Sequence, residues 1–239
     1  MENKQFIDAY RGLNSSYLRL VDSLSALRAL SSISVEQCSD HELLGNALKA
    51  LADNQDLECC SIFLLQGELL RLVAGIGCGA ASDDEVSETM SFHLGEGIVG
   101  IAASSGELQH CEDCTQDHKF IPYTGEHDEA EGEQAGSIIS VPIRNGDEVL
   151  GVLNVSHPHR HFFDQSHERS LRIFSDVLGQ LLSNNRLFHQ MDELVQQRTA
   201  QLQKALDEAE ELRRRYEALS IVDDLTQLHN RRFFFPEAR

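Results

Sequence analysis

Apolar or tolerated positions in the last third of the chain recur in steps of three and four. They fall at Leu171, Phe174, Leu178, Leu181, Asn185 and Phe188, then at Met191, Val195, Arg198, Leu202, Ala205, Ala209, Leu212, Tyr216 and Leu219. Alternating steps average 3.5 residues, the spacing that keeps a narrow seam facing a partner helix. One helix is therefore predicted from about Asp164 through the end of this pattern, roughly 70–80 Å long at 1.5 Å per residue. A pair of consecutive three-residue steps, Asn185 to Phe188 to Met191, is a stammer that overwinds the supercoil locally. A single compact domain has no use for a helix of that length, whereas a dimeric connector does.

A second narrow stripe runs through Phe6, Tyr10, Leu13, Tyr17, Leu20, Leu24 and Leu27, between charged residues such as Arg11, Arg19 and Asp22. It predicts an amphipathic helix over residues 5–30 that packs on its own domain or on the same helix of a second copy. A parallel homodimer with both pairs of terminal helices in contact satisfies the two seams together. Ser39 and Asp40 offer N-caps for another helix, Glu42 to Asn54.

From Leu57 the period changes. Cys59–Leu65 and Leu69–Ala74, joined through Gly67, read as a hairpin. Ser91–Leu94 leads into Gly95-Glu96-Gly97-Ile98-Val99-Gly100, a short helix ending near Ser105, and a strand at Leu108–Cys111. Ser137–Arg144 and Glu148–Ser156 flank Asn145-Gly146, a dipeptide that suits a type I′ turn. These last strands are apolar on both parities, which predicts a sheet covered on both faces. Hairpins between terminal helices make the class α+β, with an antiparallel sheet, flanking helices and a long C-terminal coiled-coil helix.

Residues 38–186 resemble GAF domains. The likeness rests on Cys60-Ser61-Ile62-Phe63-Leu64-Leu65, Leu94 through Gly100, Ser137 through Pro142, Val149 through Val155, and Phe162-Phe163-Asp164 before an apolar helix. It implies a sensor and dimerisation module, with helices on one sheet face and a small-molecule or redox pocket on the other. After the long helix, Asp223-Asp224-Leu225-Thr226-Gln227-Leu228-His229-Asn230-Arg231-Arg232 resembles the opening of GGDEF domains, D-x-L-T-G-L-x-N-R-R, departing from it only at Gln227. Those domains are diguanylate cyclases that condense two GTP into cyclic di-GMP. Their GG(D/E)EF signature is absent from these residues, so the GTP and Mg²⁺ of that reaction belong to a catalytic domain this chain does not contain. The resulting organisation is an N-terminal dimerisation helix (1–37), a GAF sensor (38–186), a signalling coiled coil (187–222) and the start of a GGDEF domain (223–239). Its expected role is that of a regulatory region in a bacterial diguanylate cyclase, relaying a signal through Arg198 on the seam to Asp223, Leu225, Thr226, Asn230 and Arg231.

Charge and composition narrow the partners. Lys+Arg 20 against Asp+Glu 39 gives a net charge of -19, which disfavours nucleic acid and anionic lipid. No run reaches the length of a membrane span and no basic-then-apolar leader opens the chain, so a cytoplasmic protein with six reduced cysteines is expected.

Candidate chemistry gathers around the predicted pocket. Ser61, Ser140 and Asn154 are polar residues in apolar strands, each needing a partner from a ligand, a water or neighbouring backbone. With Phe63, His93, Cys111, Cys114 and Phe120 they form the expected ligand-binding set. Cys111-x-x-Cys114 has no second pair to complete a zinc site, so no metal is assigned. The Gly95–Gly100 stretch matches G-x-G-x-x-G, but it lacks the βαβ setting of a dinucleotide site and reads as a tight turn over the pocket. His157-Pro158-His159-Arg160-His161 reads as a solvated loop, and the carboxylates Glu126, Asp128, Glu129, Glu131 and Glu133 as a solvated lid. Two alternatives stand beside the sensor: a ligand-free GAF dimerisation module, and a GAF methionine sulfoxide reductase using Cys78, Cys111 and Cys114.

Overall fold

A computed structural model describes residues 2–33, 38–55, 57, 59–77, 90–121, 136–221 and 228. The sequence-based expectations for Cys78, for the carboxylates at 126–133 and for Asp223, Leu225, Thr226, Asn230 and Arg231 lie outside the described residues. The order is α1 (Glu2–Ser31), α2 (Asp40–Asn54), β1 (Cys59–Gln66), β2 (Leu69–Ile76), β3 (Ser91–His93), α3 (Gly97–Ser105), β4 (Gln109–Cys111), β5 (Ser137–Asn145), β6 (Glu148–His157) and α4 (Gln165–Ile221). The strands form one antiparallel sheet in the order β3-β2-β1-β6-β5-β4. The class is α+β, as expected. Strand β3 was not anticipated as a separate element, because three residues are too few to show alternation.

Each face of the sheet has its own core. Cys60, Ile62 and Leu64 of β1, Ile139, Val141 and Ile143 of β5, and Leu153 and Val155 of β6 share one face. Against them pack Ala26 and Leu30 of α1, Leu44, Leu48 and Leu51 of α2, and Leu171, Phe174, Leu178 and Leu182 of α4. The opposite parity, Phe63, Leu70, Leu72 and Val152, meets Val99, Ala102 and Ala103 of α3. Strands β5 and β6 are buried along nearly their whole length, as their two-sided apolar pattern requires.

Local chemistry explains the joints. Ser39 caps α2 in a reciprocal box: its hydroxyl accepts from the Glu42 amide at 3.3 Å while its own amide donates to Glu42 Oε2 at 2.9 Å. Both hairpins turn on a glycine at the first central position. Gln66 pairs with Leu69 around Gly67-Glu68, and Asn145 with Glu148 around Gly146-Asp147, with φ of 68° and 61° at the glycines. The second turn is therefore not a type I′ turn centred on Asn145-Gly146. Asn145 closes the ladder instead, and only one residue of the loop takes positive φ, which glycine alone supplies without strain.

Helix α4 lies close to the sheet. A Cβ on Gly179 would stand 2.0 Å from the Arg144 carbonyl oxygen, and Ser175 donates its hydroxyl to the Pro142 carbonyl at 3.0 Å. Asn185 and Arg186 both bind Asp40, at 2.9 and 2.8 Å. This corrects the expected dimer seam: its positions from Leu171 to Asn185 are largely spent on the chain's own core. The stammer falls where the helix leaves that core.

The chain divides into two compact units, Met1–Arg186 and Leu187–Arg239. In the second, Phe188, Met191, Val195, Leu202, Leu212 and Tyr216 are all exposed. On α1, Tyr10, Tyr17, Leu20 and Leu24 are likewise exposed, while Ala26 and Leu30 enter the core. Among the described residues no helix is long and apolar enough to cross a membrane.

Candidate functional site

Strand register brings the polar residues together. Ser61 of β1 stands opposite Asn154 of β6, Asn154 opposite Ser140 of β5, and Ser140 opposite Gln109 of β4. They make one row across four strands on the α3 face. Ser140 donates to Asn154 Oδ1 at 2.6 Å, and both side chains are buried. Three suppliers of hydrogen bonds were expected: ligand, water or backbone. For this pair the partner is a fourth, the neighbouring polar side chain. Gln109 escaped the sequence reading because its place in the row follows only from the β4–β5 register.

At the Asn154 position of this row lies a cavity of about 10 Å³, lined also by Phe92, Gly97, Ile98, Val99, Phe120, Ile121 and Ile138. That is the size that holds a single water. Of the expected set, Phe120 and Asn154 line it. Cys111 and Cys114 pack beside it with Ile98 and Ile138, and Phe120 rests against that cluster. Phe63 sits one cluster away, its ring edge-on to Phe92 at 5.4 Å. His93 does not join them: its side chain is exposed on edge strand β3, where its amide donates to Glu96 Oε2 at 2.7 Å. Arg198 is also exposed, bonded to Gln201 at 3.2 Å.

Burial raises the Cys111 thiol above its ordinary value, and it raises Cys114 as well, helped by the hydrogen bond between the two sulfurs. Burial likewise pushes Cys60 up to about 12. These sulfurs are protonated near neutral pH, the unreactive form. Cys38, Cys60, Cys111 and Cys114 are not disulfide-bonded. Cys59 is disulfide-bonded, which corrects the expectation that every cysteine is reduced. Among the described residues no three His, Cys, Asp or Glu side chains converge as a metal would require.

The glycine-rich turn spends its donors internally. The Gly95 amide donates to the Gly100 carbonyl at 2.9 Å and the Glu96 amide to the His93 carbonyl at 3.0 Å. A Cβ on Gly100 would meet the His93 oxygen at 2.2 Å, so this glycine lets α3 start tight against β3.

The histidine tract is only partly solvated. His157 ends β6 and is buried, stacked on Phe162 at 3.5 Å with planes 6° apart, because the chain folds back over the strand end. His110 of β4 reaches Glu168 of α4 at 2.9 Å, and its Nε2 is buried without a hydrogen-bond partner among the described residues.

Residues 39–183 match the family model described as GAF domain. The chain belongs to the GAF domain family. Its GAF domain is 27% identical over 171 residues to a Nif-specific regulatory protein of Azospirillum brasilense, a match covering 69% of this chain and 26% of that protein. It is 26% identical over 140 residues to a probable 3′,5′-cyclic phosphodiesterase of Caenorhabditis elegans, across 56% of this chain and 19% of the other. The chain thus spans about a quarter or less of the curated relatives it matches. Among solved structures, the GAF domain of an Acinetobacter phosphoenolpyruvate-protein phosphotransferase superposes with a TM-score of 0.57 at 22% identity, covering 72% of this chain and 97% of that one. A free methionine-R-sulfoxide reductase of Neisseria meningitidis gives 0.57 at 18% identity, over 71% and 92% of the two chains. At such identities the likeness is one of fold.

Proposed function

We propose that this chain is the sensory region of a diguanylate cyclase, and that it works as a homodimer. The observation that carries the reading is the change of environment along α4. Up to Asn185 its heptad positions are largely buried in the GAF core, and from Phe188 to Tyr216 they stand exposed, with no packing partner among the described residues. Beyond the helix, the residues from Asp223 resemble a GGDEF opening. Each such catalytic domain holds one GTP, so two must face each other. A paired helix sets their encounter, and Arg198 on the seam keeps the pairing imperfect enough for two arrangements. A signal received by the GAF domain favours one of them.

The test is a fusion carrying an active GGDEF domain from Asp223 onward, assayed for cyclic di-GMP. Leu202→Asp is expected to lower turnover about tenfold or more by burying paired charges on the seam. Equal turnover with and without the substitution counts against the relay. Replacing Arg198 by Leu is expected to lock one output level.

A ligand-free dimerisation module is the second reading, favoured by a cavity of about 10 Å³, too small for a metabolite. It predicts no melting shift with any metabolite fraction. The reductase reading is disfavoured by the raised Cys111 and Cys114 thiols.

A further inference from the structure

The helix-covered side of the sheet holds a cleft of about 290 Å³ between α1, the turn after α2 and the root of α4. It lies on the side of α1, α2 and α4, whereas the cavity beside Asn154 lies on the α3 side. Its volume sits near the lower end of small-molecule sites. The groups that matter are Arg19, Asp22 and Ser23 of α1, Phe162, and Asp164 and Ser170 at the start of α4.

The hydrogen-bonding groups of this cleft are only partly used. Asp164 is committed to the protein: Oδ1 accepts from the amides of Ser166 and His167, and Oδ2 from Arg19. Ser23 gives its single hydroxyl proton to the Arg19 carbonyl at 2.8 Å, so in the 2.8 Å contact between Ser23 and Ser170 the proton comes from Ser170. The lone pairs of Ser170 remain available. Asp22, three residues beyond Arg19 and on the same helix face, has no ion-pair partner among the described residues. Arg19 binds Asp164 through one guanidinium nitrogen and keeps further donors. The free capacity thus includes one unpaired carboxylate, Asp22, and the Ser170 lone pairs as acceptors, beside the spare Arg19 donors and an apolar wall from Phe162 and Leu57.

We propose that this cleft binds a small primary-ammonium compound, its –NH₃⁺ held by Asp22 and Ser170 Oγ and its carbon chain laid against Phe162. Such a ligand comes from two sources, an amino acid or an aliphatic amine. An amino acid also presents a carboxylate to the spare donors of Arg19; an amine does not. The occupied cleft bridges α1 to the root of α4. The inference rests on the geometry of residues 19–170 alone and is independent of the residues after Ile221.

The experiment is calorimetry and thermal melting of the full chain with each protein amino acid in turn, with an aliphatic diamine, and with acetate as a probe lacking the ammonium. At least one ammonium compound is expected to bind saturably while acetate does not. Asp22→Asn weakens that binding about tenfold or more, the cost of losing a charge-assisted contact. Ser170→Leu, which fills the floor, abolishes it while the melting transition stays cooperative. Arg19→Gln weakens an amino acid and spares a diamine, which separates the two sources. Absence of binding by every ammonium probe, or binding that Asp22→Asn leaves unchanged, overturns the proposal.

Discussion

The two halves of α4 have the same kind of sequence and opposite surroundings. Leu171, Phe174, Leu178 and Leu182 are essentially inaccessible to water, while Met191, Val195, Leu202 and Tyr216 keep more than half of their surface exposed. A heptad pattern alone does not separate these cases. What separates them is the set of contacts built for the first half: Gly179 admits the Arg144 carbonyl, Ser175 binds Pro142, and Asp40 gathers Asn185 with Arg186. Among the described residues the second half has no such fittings. An apolar stripe of that length left in water is costly, at about 25 cal/mol for each Å², and its repeat matches a second copy of itself.

Substitutions sharpen the contrast. Phe174→Ala is expected to destabilise the GAF unit by about 3–5 kcal/mol, the range for a truncated core aromatic, whereas Leu202→Ala stays within about 0.5 kcal/mol in the same unit. Chemical denaturation followed by near-ultraviolet dichroism compares them; similar losses would erase the distinction. Gly179→Ala comes next, at about 2 kcal/mol, because the added methyl must lift the helix off β5. Asp40→Asn, at the border between the halves, is expected to cost about 1 kcal/mol through its weakened bonds to Asn185 and Arg186. It should also raise amide exchange around residue 186 while leaving exchange in β6 unchanged.

The smallest effect is one of pH. Burial alone would raise the Asp164 carboxyl, but the His167 amide and the Arg19 guanidinium more than offset it and hold it at about 2. A folded value below the unfolded one, about 3.9, means the contribution is fully present above that unfolded value. It is lost as pH falls toward about 2. Exposure of both side chains keeps the effect small. Acid titrations of the wild type and Asp164→Asn should diverge below about pH 4 and coincide above it in slope.

The sequence made the two-sided apolar runs of β5 and β6, the Ser39 cap and the length of α4 legible, because each is written in neighbouring residues. What it could not show depends on register or approach between distant segments. Ser140 and Asn154 stood out as polar anomalies, yet only the β5–β6 ladder reveals that they satisfy each other. His93 looked like a pocket residue from its neighbours, but alternation on a three-residue edge strand turns it to solvent. The stammer at Asn185–Met191 was visible as a break in spacing. Its meaning, the border between a helix packed on its own domain and a helix presenting a free seam, required the fold. The cleft between Asp22 and Ser170 left no sequence trace, since its walls are about 150 residues apart in the chain.

The central claim is that the exposed half of α4 pairs in parallel and in register with its copy. Leu202→Cys tests it most directly, through oxidative cross-linking of the full chain, with Lys204→Cys on the opposite side of the helix as the control. The account predicts a rapid, near-complete covalent dimer for position 202 and little for position 204. Equal and slow cross-linking at both positions, with sedimentation at the mass of one chain, would contradict it.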